Sequence, residues 1–82
     1  SDPMTFSIYD SVYRTVKTVD VEACAGYDAA ESVVPYPPGI PLLFAGERIT
    51  EQHAAILKRL SSLGAKCQEM ADPTLRTIQV YE

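Results

Sequence analysis

One histidine, two cysteines and one adjacent pair of opposite charges are the side chains in this sequence whose chemistry could go beyond packing. His53 is the sole histidine. A general acid or base of that kind needs a nucleophile or carboxylate aimed at it, and the spacing shows no Ser/His/Asp or Cys/His set. His53 opens a stripe of apolar residues at helical period, so it reads as a half-buried packing residue. Cys24 and Cys67 lie far apart among apolar or small residues. Two such thiols make neither a disulfide framework nor a zinc site. They read as reduced, partly buried cysteines of a cytoplasmic protein. The carboxylates form no evident acid/base pair, and the four glycines are isolated turn or cap residues. On the residues alone there is no catalytic, cofactor-binding or metal-binding set. Glu47 and Arg48 follow Ala45-Gly46 and precede a helix cap. Charges at such a junction can point into a cleft or form a surface turn with a local ion pair, and both readings stay open.

The element that must position this pair is unusual. The run Val33-Val34-Pro35-Tyr36-Pro37-Pro38-Gly39-Ile40-Pro41-Leu42-Leu43-Phe44 places four prolines inside an apolar segment. It is too hydrophobic for a linker and too rich in proline for a central strand. It reads as one stiff, extended path between two buried strands. Its PxxP spacings suit a peptide ligand for an aromatic groove, but the flanking Val-Val and Ile-Pro-Leu-Leu-Phe belong in a core.

The chain has 82 residues, enough for one small domain. An apolar content of 46% with 22% charged residues marks it as globular. A net charge of −4 argues against a nucleic-acid partner. No apolar run approaches the roughly 20 residues of a membrane span, and no basic-then-apolar leader is present. Ser1-Asp2-Pro3 ahead of Met4 reads as a vector-derived scar, leaving 4–82 as a single domain.

The local signals predict an α+β fold. It has a small mixed sheet of about four strands, one main helix over about 51–63 and two short N-terminal helices. Ser7 and Asp10 have capping-box spacing for a helix over about 8–14. Val16 to Val19 is extended. Asp20 can cap a second short helix, Val21 to Ala25, stopped by Gly26, with Ala23 and Cys24 facing inward. Strands are expected at 29–34 and 40–44, around a type II turn with Gly39 after Pro38. Pro41 puts the second of these at an edge or at its own start. Thr50 caps the main helix, whose stripe is His53, Ile56, Leu57, Leu60 and Leu63, and Gly64 ends it. Ala65 to Met70 is a weaker strand, Asp72-Pro73 a turn, and Leu75 to Tyr81 an alternating final strand.

The block from Ala30 to Leu43, with its core Pro35-Tyr36-Pro37-Pro38-Gly39-Ile40-Pro41-Leu42, and then Gly46-Glu47-Arg48-Ile49-Thr50, resembles the carboxy-terminal domain of the bacterial ornithine/lysine/arginine decarboxylases. Val19 to Gly26 and Leu63-Gly64-Ala65 are similar to that family's segments on either side. The resemblance covers nearly all of the chain from Thr5 onward. Ala45 stands where many members carry proline, and Tyr27 where a basic residue is common.

The resemblance implies a parent enzyme with the aminotransferase-like fold. It would use pyridoxal phosphate as electron sink, form a homo-oligomer, and convert a basic amino acid to a polyamine or its precursor. The family's Schiff-base lysine lies in the large domain, in a Ser/His/Lys motif that is absent here. Lys17, Lys58 and Lys66 have no such surroundings. The chain is then expected to be a non-catalytic fragment that packs on the large cofactor-binding domain and has no cofactor site of its own. Tyr36, Pro37, Pro38 and Gly39, with Gly46, Glu47 and Arg48, become the expected cleft-lining or interdomain residues. Glu47 would suit the distal cation of the substrate. The alternative is a free-standing interaction module that shares the domain. An independent small enzyme is disfavoured because no catalytic constellation is present.

Overall fold

The computed structural model describes residues 14–36 and 38–82. The expected helix over about 8–14 lies outside the described residues, apart from Arg14, which sits in a bend. The chain runs through strand β1 (Val16–Asp20), a 3-10 turn (Val21–Ala23), β2 (Asp28–Ala29), β3 (Pro35–Tyr36), helix α1 (Glu51–Ser62), β4 (Lys66–Cys67) and β5 (Thr77–Tyr81).

The fold class is α+β, but the expected mixed four-stranded sheet is replaced by two antiparallel sheets. One has the order β1-β5-β2, and the other pairs β3 with β4. The final strand takes the centre because its alternation suits it: Ile78 and Val80 are buried, while Thr77, Gln79 and Tyr81 are half-buried. Val16 faces Tyr81 and Asp20 faces Thr77 across β1 and β5. Leu75 does not join this strand. It is fully buried at φ 61°, a left-handed conformation that strains a leucine.

Asp72 holds that turn in place. Its carboxylate accepts from Thr74 N at 3.0 Å, Thr74 Oγ1 at 2.6 Å, Arg76 N at 3.2 Å, Thr77 N at 3.0 Å and Thr77 Oγ1 at 3.2 Å. The Thr74 hydroxyl leads the other donors in lowering the carboxyl pKa from 3.8 to about 2. The sequence marked Asp72-Pro73 as a turn, but not the five hydrogen bonds by which Asp72 organises it.

Helix α1 forms as expected. Thr50 Oγ1 accepts from His53 N at 3.0 Å, and His53 Nδ1 accepts from Thr50 N at 3.1 Å, a reciprocal capping box. His53 therefore completes a cap. Of the apolar stripe, Leu57 is buried and Leu60 half-buried, whereas Ile56 and Leu63 are exposed. Gly64 takes φ 79° just past the helix, where a residue without Cβ is favoured.

Four shorter predictions need correction. The segment 21–25 forms only a three-residue 3-10 turn, and Asp20 makes no side-chain cap bond. Cys24 is buried there but Ala23 is exposed. The strand expected at 29–34 shrinks to Asp28–Ala29 plus a single bridge at Val33, and that at 65–70 to Lys66–Cys67. The strand expected at 40–44 is reduced to the bridge from Leu43 to Val33. Pro41 has no N–H to donate, so a continuous ladder cannot run through it. What remains is a narrow hairpin. Val33 N donates to Leu43 O and Leu42 N to Val33 O, both at 2.8 Å, and Gly39 N closes on Pro35 O at 2.8 Å. Gly39 has φ 83°, the positive value that the expected turn needs.

The core gathers Val21, Cys24, Ala29, Val33, Leu43, Ile49, Leu57, Cys67, Met70, Leu75, Ile78 and Val80. Leu57→Ala should cost about 2–5 kcal/mol in urea unfolding, because it opens a cavity. Leu63→Ala on the same helix should stay within about 0.5 kcal/mol. Folding favours ionised Asp72, so its contribution is present above about pH 4 and is lost as pH falls toward 2. A Tm series from pH 7 to pH 2 should fall steeply below pH 4 in the native protein. In Asp72→Asn it should start lower and fall less.

Candidate functional site

The sequence pointed to two groups of residues, and one backbone element holds the first of them, the Gly46-Glu47-Arg48 junction, in place. The chain from Gly26 to Ala30 lies between β5 and the segment 46–49. On one side Ala30 N donates to Gln79 O at 2.9 Å. On the other, Gly26 N donates to Ile49 O at 2.8 Å, Ala29 N to Glu47 O at 2.9 Å, Gly46 N to Ala29 O at 2.7 Å and Ile49 N to Tyr27 O at 2.9 Å. The Glu47-Arg48 junction is therefore stitched to the main sheet before α1 begins.

Asp28 sits at the centre of this stitching and is only 4% exposed. A buried carboxylate is costly unless it is paired. Arg14 Nη1 reaches Asp28 Oδ2 at 2.8 Å and Arg48 Nε reaches Oδ1 at 2.6 Å. Arg14 also donates to Glu82 O at 3.1 Å and lies 5.1 Å from the centre of the Tyr81 ring. Arg48 thus has a long-range partner. Glu47 makes a local bond: its Oε1 accepts from Phe44 N at 3.0 Å. The two neighbours do not form the local ion pair that was one reading of their sequence.

The other group lies at the hairpin tip. Tyr36 and Pro38 are exposed there, and Gly39 is packed so closely that an added Cβ would sit 3.1 Å from the Tyr36 ring. Pro37 lies outside the described residues. No hydrogen bond or ion pair among the described residues joins this tip to Gly46, Glu47 or Arg48. Pattern reading missed Asp28, whose partners are 14 and 20 positions away. It also missed the bridging role of Glu31, which takes Ala71 N at 3.1 Å and Gln79 N at 2.8 Å. Neither acid carried a local signal.

Chemically the arrangement is quiet. His53 is engaged in its cap. No group of three or more His, Cys, Asp or Glu among the described residues could hold a metal ion. No helix among them is long and apolar enough to cross a membrane. Cys24 and Cys67 are both buried, and burial pushes both thiols above their usual pKa. Cys24 Sγ also donates to Val21 O at 3.0 Å. Burial and the raised pKa both disfavour the reactive thiolate.

Residues 5–71 match the family described as Orn/Lys/Arg decarboxylase, C-terminal domain. The chain belongs to this family. The domain is 36% identical over 79 residues to the arginine decarboxylase of Halalkalibacterium halodurans, which covers 96% of this chain and 16% of that protein. It is 34% identical over 73 residues to the arginine decarboxylase of Bacillus subtilis, covering 89% of this chain and 15% of that one. The fold is shared with the constitutive lysine decarboxylase of Escherichia coli, at a TM-score of 0.74 and 24% identity, over 96% of this chain and 13% of that one. The domain therefore spans about a sixth of the curated relatives' length.

A family of this kind implies pyridoxal phosphate, and the described residues do not fit it. A Schiff-base lysine must give up its proton. Hydrogen bonding to Tyr27 raises the Lys17 pKa, the opposite direction, and its Nζ lies 4.7 Å from the centre of that ring. Lys58 pairs with Glu22 at 3.5 Å, and Lys66 is exposed on β4. The cap of α1 uses the His53 amide internally. A thiol reagent at pH 7.5 should leave both cysteines unmodified in the native domain and label both in urea. Rapid labelling of either without denaturant would contradict their burial.

Proposed function

We propose that the domain serves in a pyridoxal-phosphate-dependent ornithine, lysine or arginine decarboxylase, a carboxy-lyase of polyamine biosynthesis, and takes no part in bond breaking. In this reading it packs on the large cofactor-bearing domain of a cytoplasmic homo-oligomer. The observation that carries the proposal is the pattern of coverage. Almost all of this chain matches arginine decarboxylases, yet it accounts for about a sixth of their length. The lack of a fitting lysine among the described residues supports a non-catalytic role, and the two buried, unpaired thiols suit a reducing compartment.

The hairpin and the junction after it would then face the partner domain. Tyr36, Pro38 and Gly39 present a stiff tip whose docking orders little that is not already ordered. Glu47 keeps one carboxylate oxygen without a partner among the described residues, and that oxygen is the candidate contact for the distal cation of a basic amino acid.

The test is to express the complete gene product and measure carbon dioxide release from ornithine, lysine and arginine with pyridoxal phosphate present. The complete product should act on at least one of them, and the 82-residue chain on none. A gene that encodes this domain alone, with no large domain upstream of it, or a complete product inactive on all three, would overturn the reading. In an active product, Glu47→Gln should raise KM for the basic substrate severalfold with little change in kcat. An unchanged KM would remove Glu47 from the substrate cleft.

A further inference from the structure

The hairpin carries an exposed apolar surface. From Val33 to Gly46 there is no charged side chain in fourteen residues. At the chain's average of 22% charged residues, about three would fall there. Burial does not account for the absence, because Tyr36, Pro38, Ile40, Pro41, Phe44 and Ala45 are all exposed. The three large ones are well exposed: Tyr36 at 54%, Ile40 at 65% and Phe44 at 59%. Single exposed apolar residues are ordinary. Three within nine positions, on a segment stripped of charge, are not scattered.

The backbone beneath them is fixed. The Val33–Leu43 bridge and the Gly39 N to Pro35 O bond close the hairpin. Ala45 N donates to Ser32 Oγ at 2.9 Å, and Phe44 N to Glu47 Oε1 at 3.0 Å. The prolines keep this edge from pairing with another strand, but they leave its apolar side chains bare. Depletion of charge with enrichment of aromatic residues is the composition of an interface centre.

We propose that Tyr36, Ile40 and Phe44 form the anchor face that docks this domain onto the remainder of its own polypeptide. This rests on the functional reading above and extends it from the hairpin tip and the junction to Ile40 and Phe44. The occupant is argued from length: relatives that match 96% and 89% of this chain carry more than four-fifths of their own residues outside the matched region. Docking needs no movement of the hairpin, since its hydrogen bonds are already made.

Hydroxyl-radical footprinting tests this on the 82-residue chain and on the complete gene product, each at two concentrations. Oxidation at Tyr36, Ile40 and Phe44 should be at least about threefold lower in the complete product, and independent of concentration in the short chain. Equal labelling in the two proteins would overturn the proposal. So would protection that grows with concentration in the short chain, which would assign the face to a second copy. An active decarboxylase with an unprotected hairpin removes this inference alone. An inactive product removes the functional reading, and its labelling still decides the docking.

Discussion

A single buried carboxylate sets the frame of this domain. Asp28 is almost wholly removed from water, and such a charge persists only where its lone pairs are met. Arg14 comes from just before β1, Arg48 from just before α1, and Asp28 itself belongs to β2. The ion cluster therefore selects one arrangement of three chain segments that are distant in sequence. The backbone bonds on either side of Asp28 follow from the same placement. They join the 46–49 segment to 26–29, which in turn is carried by β5.

The hairpin inherits its position from that frame. Its outgoing end runs into Gly46, which is buried at φ 92° and bonded to Ala29 O at 2.7 Å. Its incoming end follows Glu31, tied to Ala71 and to β5 through both carboxylate oxygens. With both ends fixed and prolines limiting the backbone between them, the tip has little freedom left. A rigid tip of this kind gives up little entropy on docking. That is the physical link between the core and the proposed role of the surface.

Some of this was legible in the sequence and some was not. Helix α1 was readable because its signals are local: Thr50 at the cap, Leu57 and Leu60 at helical spacing, Gly64 at the end. Even there, His53 looked like a packing residue, since histidine as the third residue of a capping box has no distinctive pattern. The run 40–44 read as a strand on composition, but Pro41 limits it to one bridge. A mixed sheet does not follow from local pattern, because pairing depends on contacts such as Val16 with Tyr81 that no local window contains. Asp28, between Tyr27 and Ala29, gave no sign of burial. The family motif was the strongest signal of all, because Pro35 to Leu42 is so unusual in composition.

The chain has a settled core, a quiet chemistry and one apolar, charge-free projection. These features suit the proposed role, in which the domain docks and another part of a larger protein reacts. The whole arrangement depends on Asp28 coupling the start of α1 to the sheet. A double-mutant cycle measures that coupling most directly, using urea unfolding of Asp28→Asn, Arg48→Met and the double variant. An interaction energy of about 1–2 kcal/mol is predicted. Additive effects, within about 0.3 kcal/mol, would contradict the account.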